Sequence, residues 1–242
     1  MQLPNVRRLF IPDPGYMIAE ADLAGADAQV VAWDSGDEQL KTMFKNKAQI
    51  HLENMKIVFP DAPQVKSSNP DSPYHRTKQG VHLTNYGGGA ARLADTIKIT
   101  LFEAKTFQQK WFSAHPAIPE WHLRIQRQLQ ENKTVKNMFG FRRIYFERID
   151  GLLPEALAWV PQSTVAIVTN KGIINIHRKL PQIRLQPLLQ VHDSLVFQYP
   201  ASEHPHILEE VRSCMTIPIP YLDPLIIPVA IKSSPKSWGD CE

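Results

Sequence analysis

The chain has 242 residues, 27 Lys and Arg against 24 Asp and Glu, a formal net charge of +3 and a hydrophobic fraction of 43%. This length allows one large domain or two small ones with a sizeable core, and no window is apolar enough to predict a membrane span. Two cysteines exclude a disulfide framework, and residues 1–8 lack an apolar signal core. The sequence therefore predicts a protein of the reducing cytoplasm, for which a nucleic-acid partner is allowed but not required.

The first informative element is a strand predicted at residues 16–23, where apolar and polar residues alternate imperfectly. From Asp27 the pattern becomes helical, so Asp22 is a carboxylate at a strand-to-helix junction. Pattern and stop signals predict further helices at residues 38–44, 50–59, 74–86, 90–97, 102–114, 118–131, 154–179 and 204–215.

The helix predicted at residues 74–86 carries an unusual face. Tyr74, Lys78, His82 and Tyr86 recur every four residues, and this spacing places all four side chains on one side of a helix. Such a face suits a nucleotide, with Lys78 for phosphate and the rings for sugar and base. A solvated helix on which these four residues recur by chance, forming a ladder without function, explains the pattern equally well.

Two further features precede the last predicted strands. Residues 135–146 are typical of a hairpin, and its Arg142 and Arg143 could contact a phosphate backbone, although a merely solvated hairpin is the alternative. The long helix that follows contains Pro161, which predicts a bend, and Gln162, a polar group that needs a partner or faces a ligand.

A second acidic strand end lies far downstream of Asp22. Mostly apolar residues flank His192-Asp193-Ser194, which predicts the tip of a β-hairpin with Asp193 at the end of two strands. An ordinary polar turn also fits these three residues. If Asp22 and Asp193 meet in space, they can hold a pair of Mg²⁺ ions for in-line phosphoryl displacement. A strand at residues 226–231 and an anchored tail at residues 237–240 complete the chain.

Taken in order, these motifs resemble those of the DNA polymerase I (A) family. Residues 22–27 are similar to its first motif, an Asp at a strand end with an acidic residue five places on. Residues 74–87 resemble its second, Arg-x-x-x-Lys-x-x-x-Phe/Tyr-x-x-x-Tyr-Gly. Residues 191–194 resemble its third, Val-His-Asp-Glu. The ordered set covers nearly the whole chain.

The resemblance implies an α+β fold: an antiparallel palm sheet with a helical fingers insertion, as in a right-hand polymerase that lacks the thumb. It divides the chain into a first palm segment at residues 1–50, fingers at 51–133 and a second palm segment at 134–242. It implies template-directed DNA synthesis by two-metal-ion nucleotidyl transfer, on primer-template DNA and dNTPs. We expect a second polypeptide to carry the thumb, the 3′–5′ exonuclease or both. A bacterial or bacteriophage origin is expected.

The family's roles carry over to residues that match its motifs. Asp22, Asp193 and the Leu23 carbonyl would bind two Mg²⁺ ions, which activate the primer 3′-hydroxyl and stabilise charge on the α-phosphate and pyrophosphate. The residues implied for the nucleotide are His51, Lys78, His82, Tyr86 and Asp27. Those implied for DNA are Arg142, Arg143, Gln162 and His192.

Several positions depart from the family pattern. Tyr74 replaces an arginine that contacts the triphosphate, His82 replaces a Phe or Tyr, and Ser194 replaces a glutamate. Asp27 is one methylene shorter than the glutamate that excludes a ribose 2′-hydroxyl. A catalytically degenerate, polymerase-derived DNA-binding subunit is therefore the alternative to the enzyme. A nuclease or other two-metal enzyme of unrelated fold explains the aspartates but not the ladder from Lys78 to Tyr86.

Overall fold

Antiparallel strands and a larger set of helices make up the chain, in a computed structural model that describes residues 5–146, 148–179 and 184–241. The strands are β1 (Tyr16–Leu23), β2 (Thr134–Lys136), β3 (Arg142–Ile144), β4 (Gln186–Val191), β5 (Ser194–Pro200) and β6 (Val229–Ser234). The helices are α1 (Ala26–Ser35), α2 (Glu38–Lys45), α3 (Ile50–Val58), α4 (Pro73–Asn85), α5 (Ala90–Ile97), α6 (Leu101–Ala114), α7 (Ala117–Asn132), α8 (Leu153–Lys179) and α9 (His206–Met215). The α+β class expected from the sequence is thus confirmed.

Two elements begin two or three residues later than predicted. α9 begins at His206 because a short 3₁₀ turn, Ala201–Glu203, comes first. The strand predicted at residues 226–231 begins instead at Val229, directly after Pro228, which has no N–H to donate to a ladder. Pro161, expected to bend the long helix, lies inside α8, which is assigned as one continuous helix.

Contacts divide the chain into two compact units, a sheet unit of Met1–Ala26 with Ser163–Glu242 and a helical unit of Asp27–Gln162. The three segments expected from the resemblance, with boundaries at residues 50 and 133, stay a prediction. In the described ranges, no helix combines the length and the apolar character needed to cross a membrane.

The sheet unit is built around β1, which lies between β5 and β6 in the order β4-β5-β1-β6. Every neighbouring pair in this sheet is antiparallel. Ile18 of β1 and Val196 of β5 are fully buried and pack with Trp238, each aliphatic side chain contributing about 2 kcal/mol by leaving water. Alternation along β1 leaves Glu20 and Asp22 half-buried on the same face.

The helical unit owes its form to apolar faces and to capped helix starts. Ser72 accepts a hydrogen bond from the His75 N–H at the start of α4, and Thr100 with Glu103 forms a capping box on α6. Its largest fully buried side chains are Met55, Leu93, Ile97, Phe107, Trp111, Ile118, Trp121 and Ile125.

Candidate functional site

The paired acidic strand ends lie next to each other in the sheet unit. Asp22 on β1 is the register partner of Ser194 on β5, and the Leu23 N–H donates to the Asp193 carbonyl at 3.2 Å. Asp193 follows His192, whose φ of +53° is the left-handed value that a primed two-residue hairpin turn needs at its first central position. The turn therefore places Asp193 beside the end of β1.

Electrostatics in the sheet unit show that Asp22 lies in an acidic environment. Burial raises the pKa of Asp22, and the negative charges of Asp193 and Glu20 raise it further, while Arg7 and Lys232 act in the opposite direction. Bringing a cation to such a site relieves the repulsion between its carboxylates.

The donor set at this end of β1 fits Mg²⁺. Carboxylates and a backbone carbonyl offer only oxygen, the ligand type that this ion prefers. Within the described part of the chain, no group of three or more His, Cys, Asp or Glu side chains is arranged to hold a metal. A pair of aspartates still suits Mg²⁺, because this ion keeps several waters and is commonly bound by one or two carboxylates plus substrate phosphates.

Glu20 is a neighbour of this site that sequence reasoning missed. The Ser194 hydroxyl donates to Glu20 Oε1 at 3.1 Å, and Arg7 Nη1 lies 3.5 Å from Glu20 Oε2. A carboxylate is thus present beside position 194, although the family glutamate there is replaced by serine. The spacing of two residues between Glu20 and Asp22 was the available signal, since it places both on one face of β1.

The four-residue ladder of the helical unit presents an accessible side of α4. Lys78 and His82 are exposed, whereas Thr77 and Val81 on the other side are buried. Within the described ranges Lys78 makes no ion pair. The centres of the His82 and Tyr86 rings lie 4.4 Å apart. Desolvation lowers the pKa of His82. The positive charge of Lys78 lowers this pKa further, whereas the Asp27 carboxylate raises it.

Asp27 and Tyr86 are directly joined in the helical unit. The Tyr86 hydroxyl donates to Asp27 Oδ2 at 2.8 Å. Burial and the Asp27 charge raise the pKa of Tyr86 far above its usual range. The phenol is therefore a neutral donor, and it holds the Asp27 carboxylate in one position.

His51 lines a cavity of about 130 Å³ in the helical unit, together with Gln49, Ile50, Leu52, Lys66 and Tyr74. The rings of His51 and Tyr74 meet edge to face at 5.9 Å. Burial lowers the pKa of His51, and the positive charge of Lys78 lowers it further. His51 is consequently neutral at pH 7 and can donate one hydrogen bond.

The four residues expected to contact DNA differ in the unit that carries them and in whether their side chains are already paired. Arg142 and Gln162 are exposed in the helical unit, and His192 is exposed at the β4–β5 turn of the sheet unit. Arg143 is already engaged, since it forms an ion pair with Glu155 and its guanidinium lies 5.0 Å from the centre of the Tyr145 ring. Arg142 is therefore the more available of the two arginines of the β2–β3 ribbon.

Curated relatives with similar sequences are DNA polymerases of phages and bacteria. The chain is 28% identical to the DNA polymerase of Mycobacterium phage D29 over 237 residues, 97% of this chain and 37% of that protein. It is also 28% identical to the thermostable DNA polymerase I of Thermus filiformis over 238 residues, 94% of this chain and 28% of that protein. The chain thus spans well under half the length of these relatives.

A solved structure and a family profile agree with these relatives. The fold matches the POL domain of Pol1 from M. smegmatis, in complex with DNA primer-template and dNTP, with a TM-score of 0.84 and 24% identity, over 97% of this chain and 42% of that one. The profile of DNA polymerase family A matches residues 2–240. This chain belongs to DNA polymerase family A.

Proposed function

We propose that the chain carries out template-directed DNA synthesis by two-metal-ion nucleotidyl transfer, on primer-template DNA with dNTPs as substrates. The observation that carries this proposal is the adjacency of Asp22 and Asp193, which come from distant parts of the sequence to one end of the sheet. Family membership supplies the reaction class, and the preserved aspartates and Lys78 support turnover over a purely binding role.

In this proposal Asp22, Asp193 and the Leu23 carbonyl hold the metal. Bound there, Mg²⁺ supplies activation of the primer 3′-hydroxyl and neutralises charge on the α-phosphate and pyrophosphate. The carboxylates set the position of the reacting groups, and the Leu23–Asp193 backbone hydrogen bond fixes the hairpin that carries one of them.

The helical unit is proposed to bind the incoming nucleotide. Lys78 neutralises triphosphate oxygens and His51 donates a hydrogen bond to them. His82 and Tyr86 lie beside the base and sugar. Asp27, held by the Tyr86 hydroxyl at 2.8 Å, lies beside the sugar 2′ position; since it is one methylene shorter than glutamate, it leaves more space there.

DNA contacts are proposed for Arg142, Arg143, Gln162 and His192. The exposed Arg142 binds the phosphate backbone, which positions the duplex without reading its sequence. The solved M. smegmatis POL domain contains primer-template DNA and dNTP, which supports the same classes of ligand for this chain. We further propose that a second polypeptide contributes the thumb, the exonuclease or both.

The test is Mg²⁺-dependent dNTP incorporation with Asp193→Ala and a charge-matched control, Asp61→Ala, at an exposed loop position. We expect Asp193→Ala to lower the rate by about 10³-fold, which corresponds to about 4 kcal/mol of lost charge stabilisation. The control should keep its rate, and both variants should keep DNA affinity in a gel-shift titration. DNA binding without incorporation, in the wild type and with every candidate partner, would instead favour the degenerate DNA-binding subunit.

A further inference from the structure

The cavity beside His51 is a recess in the helical unit with no acidic lining. It lies between the first turn of α3 and the start of α4, and its lining residues include Lys66 from the connection between these helices. Its volume of about 130 Å³ gives room for several water molecules or for a phosphate group. None of the lining residues is Asp or Glu.

Lys66 is the one cation among the residues that line this cavity. It is exposed, and within the described ranges its ammonium makes no ion pair. The segment before it is held in place, because the Gln64 side-chain amide donates to the carbonyl oxygens of Phe59 at 3.0 Å and Ala62 at 2.8 Å. The backbone is thus anchored two residues before Lys66.

Two other lining residues, His51 and Tyr74, contribute rings and no fixed charge. Tyr74 packs edge to face against His51 at 5.9 Å and against His75 at 5.8 Å between ring centres. A neutral phenol can donate one hydrogen bond to an anion but cannot balance its charge. The positive charge that a phosphate would need inside this cavity comes from Lys66.

We propose that Lys66 is a polyphosphate-binding residue, which supplies from the α3–α4 connection the cation that position 74 does not supply in this chain. The ligand class is the triphosphate of the incoming nucleotide, or the pyrophosphate that leaves. The inference rests on the proposed nucleotide-binding function of the helical unit. The Lys66 ammonium acts as a point charge on one terminal phosphate, while His51 donates to a neighbouring oxygen.

The experiment measures binding of inorganic tripolyphosphate to the whole chain by isothermal titration calorimetry. We expect Lys66→Ala to weaken binding about tenfold, the loss of one charge-assisted contact, and Lys66→Arg to keep most of the affinity. Lys105→Ala is the matched control, since it removes an exposed lysine of the same unit that does not line the cavity. Affinities of Lys66→Ala and Lys105→Ala that agree, or a wild type that does not bind, would overturn the proposal.

A second variant tests whether Lys66→Ala weakens binding by removing a charge or by disturbing the loop. Arginine at position 74, another lining position of the cavity, would restore a cation there, so Lys66→Ala with Tyr74→Arg should regain the affinity lost in Lys66→Ala. No recovery would count against a shared anion site. If tripolyphosphate binding depends on Lys66 while DNA-directed incorporation fails throughout, the anion site stands and the proposed polymerase function falls. If the chain incorporates dNTPs but Lys66→Ala binds tripolyphosphate as tightly as the wild type does, the polymerase function stands and the Lys66 proposal falls.

Discussion

At the scale of single residues, sequence patterns indicated some of the groups at the end of β1 and missed others. Asp22 and Asp193 were singled out from their positions at strand ends, because a carboxylate beyond an apolar strand is visible in a linear sequence. Glu20 was missed because its relation to Ser194 depends on the register of β1 against β5, across 174 positions of sequence. Lys66 was missed for a similar reason, since nothing in its own neighbourhood indicates a cavity.

The raised pKa of Asp22 leads to a stability prediction. The folded state favours the protonated carboxyl, so an ionised Asp22 costs stability at every pH above its normal range. Asp22→Asn should therefore raise the melting temperature by a few degrees at pH 7 in metal-free buffer, while it abolishes dNTP incorporation. Scanning calorimetry with EDTA measures the first effect.

A control and an opposite outcome make this test decisive. Asp61→Asn, at an exposed loop position, should leave the melting temperature unchanged. The gain for Asp22→Asn should vanish below the normal aspartate pKa of 3.8, where Asp22 is protonated in both the folded and the unfolded wild type. A lower melting temperature for Asp22→Asn in metal-free buffer would show that the carboxylate is stabilised in the fold, contrary to the repulsion from Asp193 and Glu20.

At the scale of elements, α4 joins packing and function because its two sides differ. The ladder side carries Lys78 and His82, while Gly80 on the other side lies against α6. A Cβ added at Gly80 would lie 2.7 Å from Phe107 Cζ, and Phe107 is itself buried. The absence of a side chain at Gly80 therefore allows the two helices to approach.

Gly80→Val should lower the free energy of unfolding by about 2 to 3 kcal/mol, because the buried Phe107 ring cannot move away without overpacking its neighbours. Valine is chosen over alanine since the helix propensity gained by alanine, about 1 kcal/mol, would partly hide the clash. Urea denaturation measures the change, with Gln79→Ala at the exposed neighbouring position as the control. Equal stability of Gly80→Val and the wild type would mean that α4 and α6 do not pack this closely.

The start of α2 depends on a buried polar pair. Asp37 Oδ1 accepts a hydrogen bond from the Leu40 N–H at 2.8 Å, and Asp37 Oδ2 lies 3.1 Å from His115 Nδ1. Burial opposes ionisation of Asp37, but the bonds from His115 and Leu40 outweigh it, so the pKa of Asp37 is lowered. One carboxylate therefore caps α2 and pairs with Nδ1 of a buried imidazole.

Asp37→Asn should lower the free energy of unfolding by about 1 to 3 kcal/mol at pH 7. A lowered pKa means that the ionised carboxylate stabilises the fold above the normal aspartate pKa of 3.8 and that this contribution is lost as the pH falls through the folded-state value. The difference between wild type and variant should accordingly narrow below pH 3.8, as followed by denaturation at several pH values. Glu38→Gln, an exposed neighbour, should show no comparable effect. A difference that stays constant with pH would contradict the carboxylate's role.

Helix bounds were the most predictable part of these elements. Helical periodicity and cap residues placed α3 to α8 within one or two residues of their observed ends, because both signals are local. The strand predicted at residues 226–231 was placed three residues too early, since an apolar run alone does not show where ladder hydrogen bonds begin. Pairing of strands remote in sequence lies outside any local pattern, which is why the antiparallel sheet was expected from the family resemblance and not from periodicity.

At the scale of the whole molecule, the described chain spans 37% of the phage D29 relative and 28% of the Thermus filiformis relative. Affinity for a DNA duplex comes mainly from many phosphate contacts, each of which adds to the salt dependence of binding. Of the two arginines of the β2–β3 ribbon that are proposed to contact DNA, Arg143 is paired with Glu155 and Arg142 is exposed. We therefore expect these residues alone to hold primer-template DNA weakly.

Primer extension by the chain alone should be distributive, with a few nucleotides added before each dissociation. The measurement is product length after a single binding event, with an excess of unlabelled trap DNA added at the start of the reaction. Raising monovalent salt from about 50 to 200 mM should abolish extension by the chain alone, because a small set of phosphate contacts is lost by counterion competition. Addition of a polypeptide that supplies the thumb should lengthen the products and reduce this salt sensitivity, whereas an unrelated basic protein should not. Long products from the chain alone in the presence of the trap would show that it grips the duplex without help, and the proposed partner would then be unnecessary.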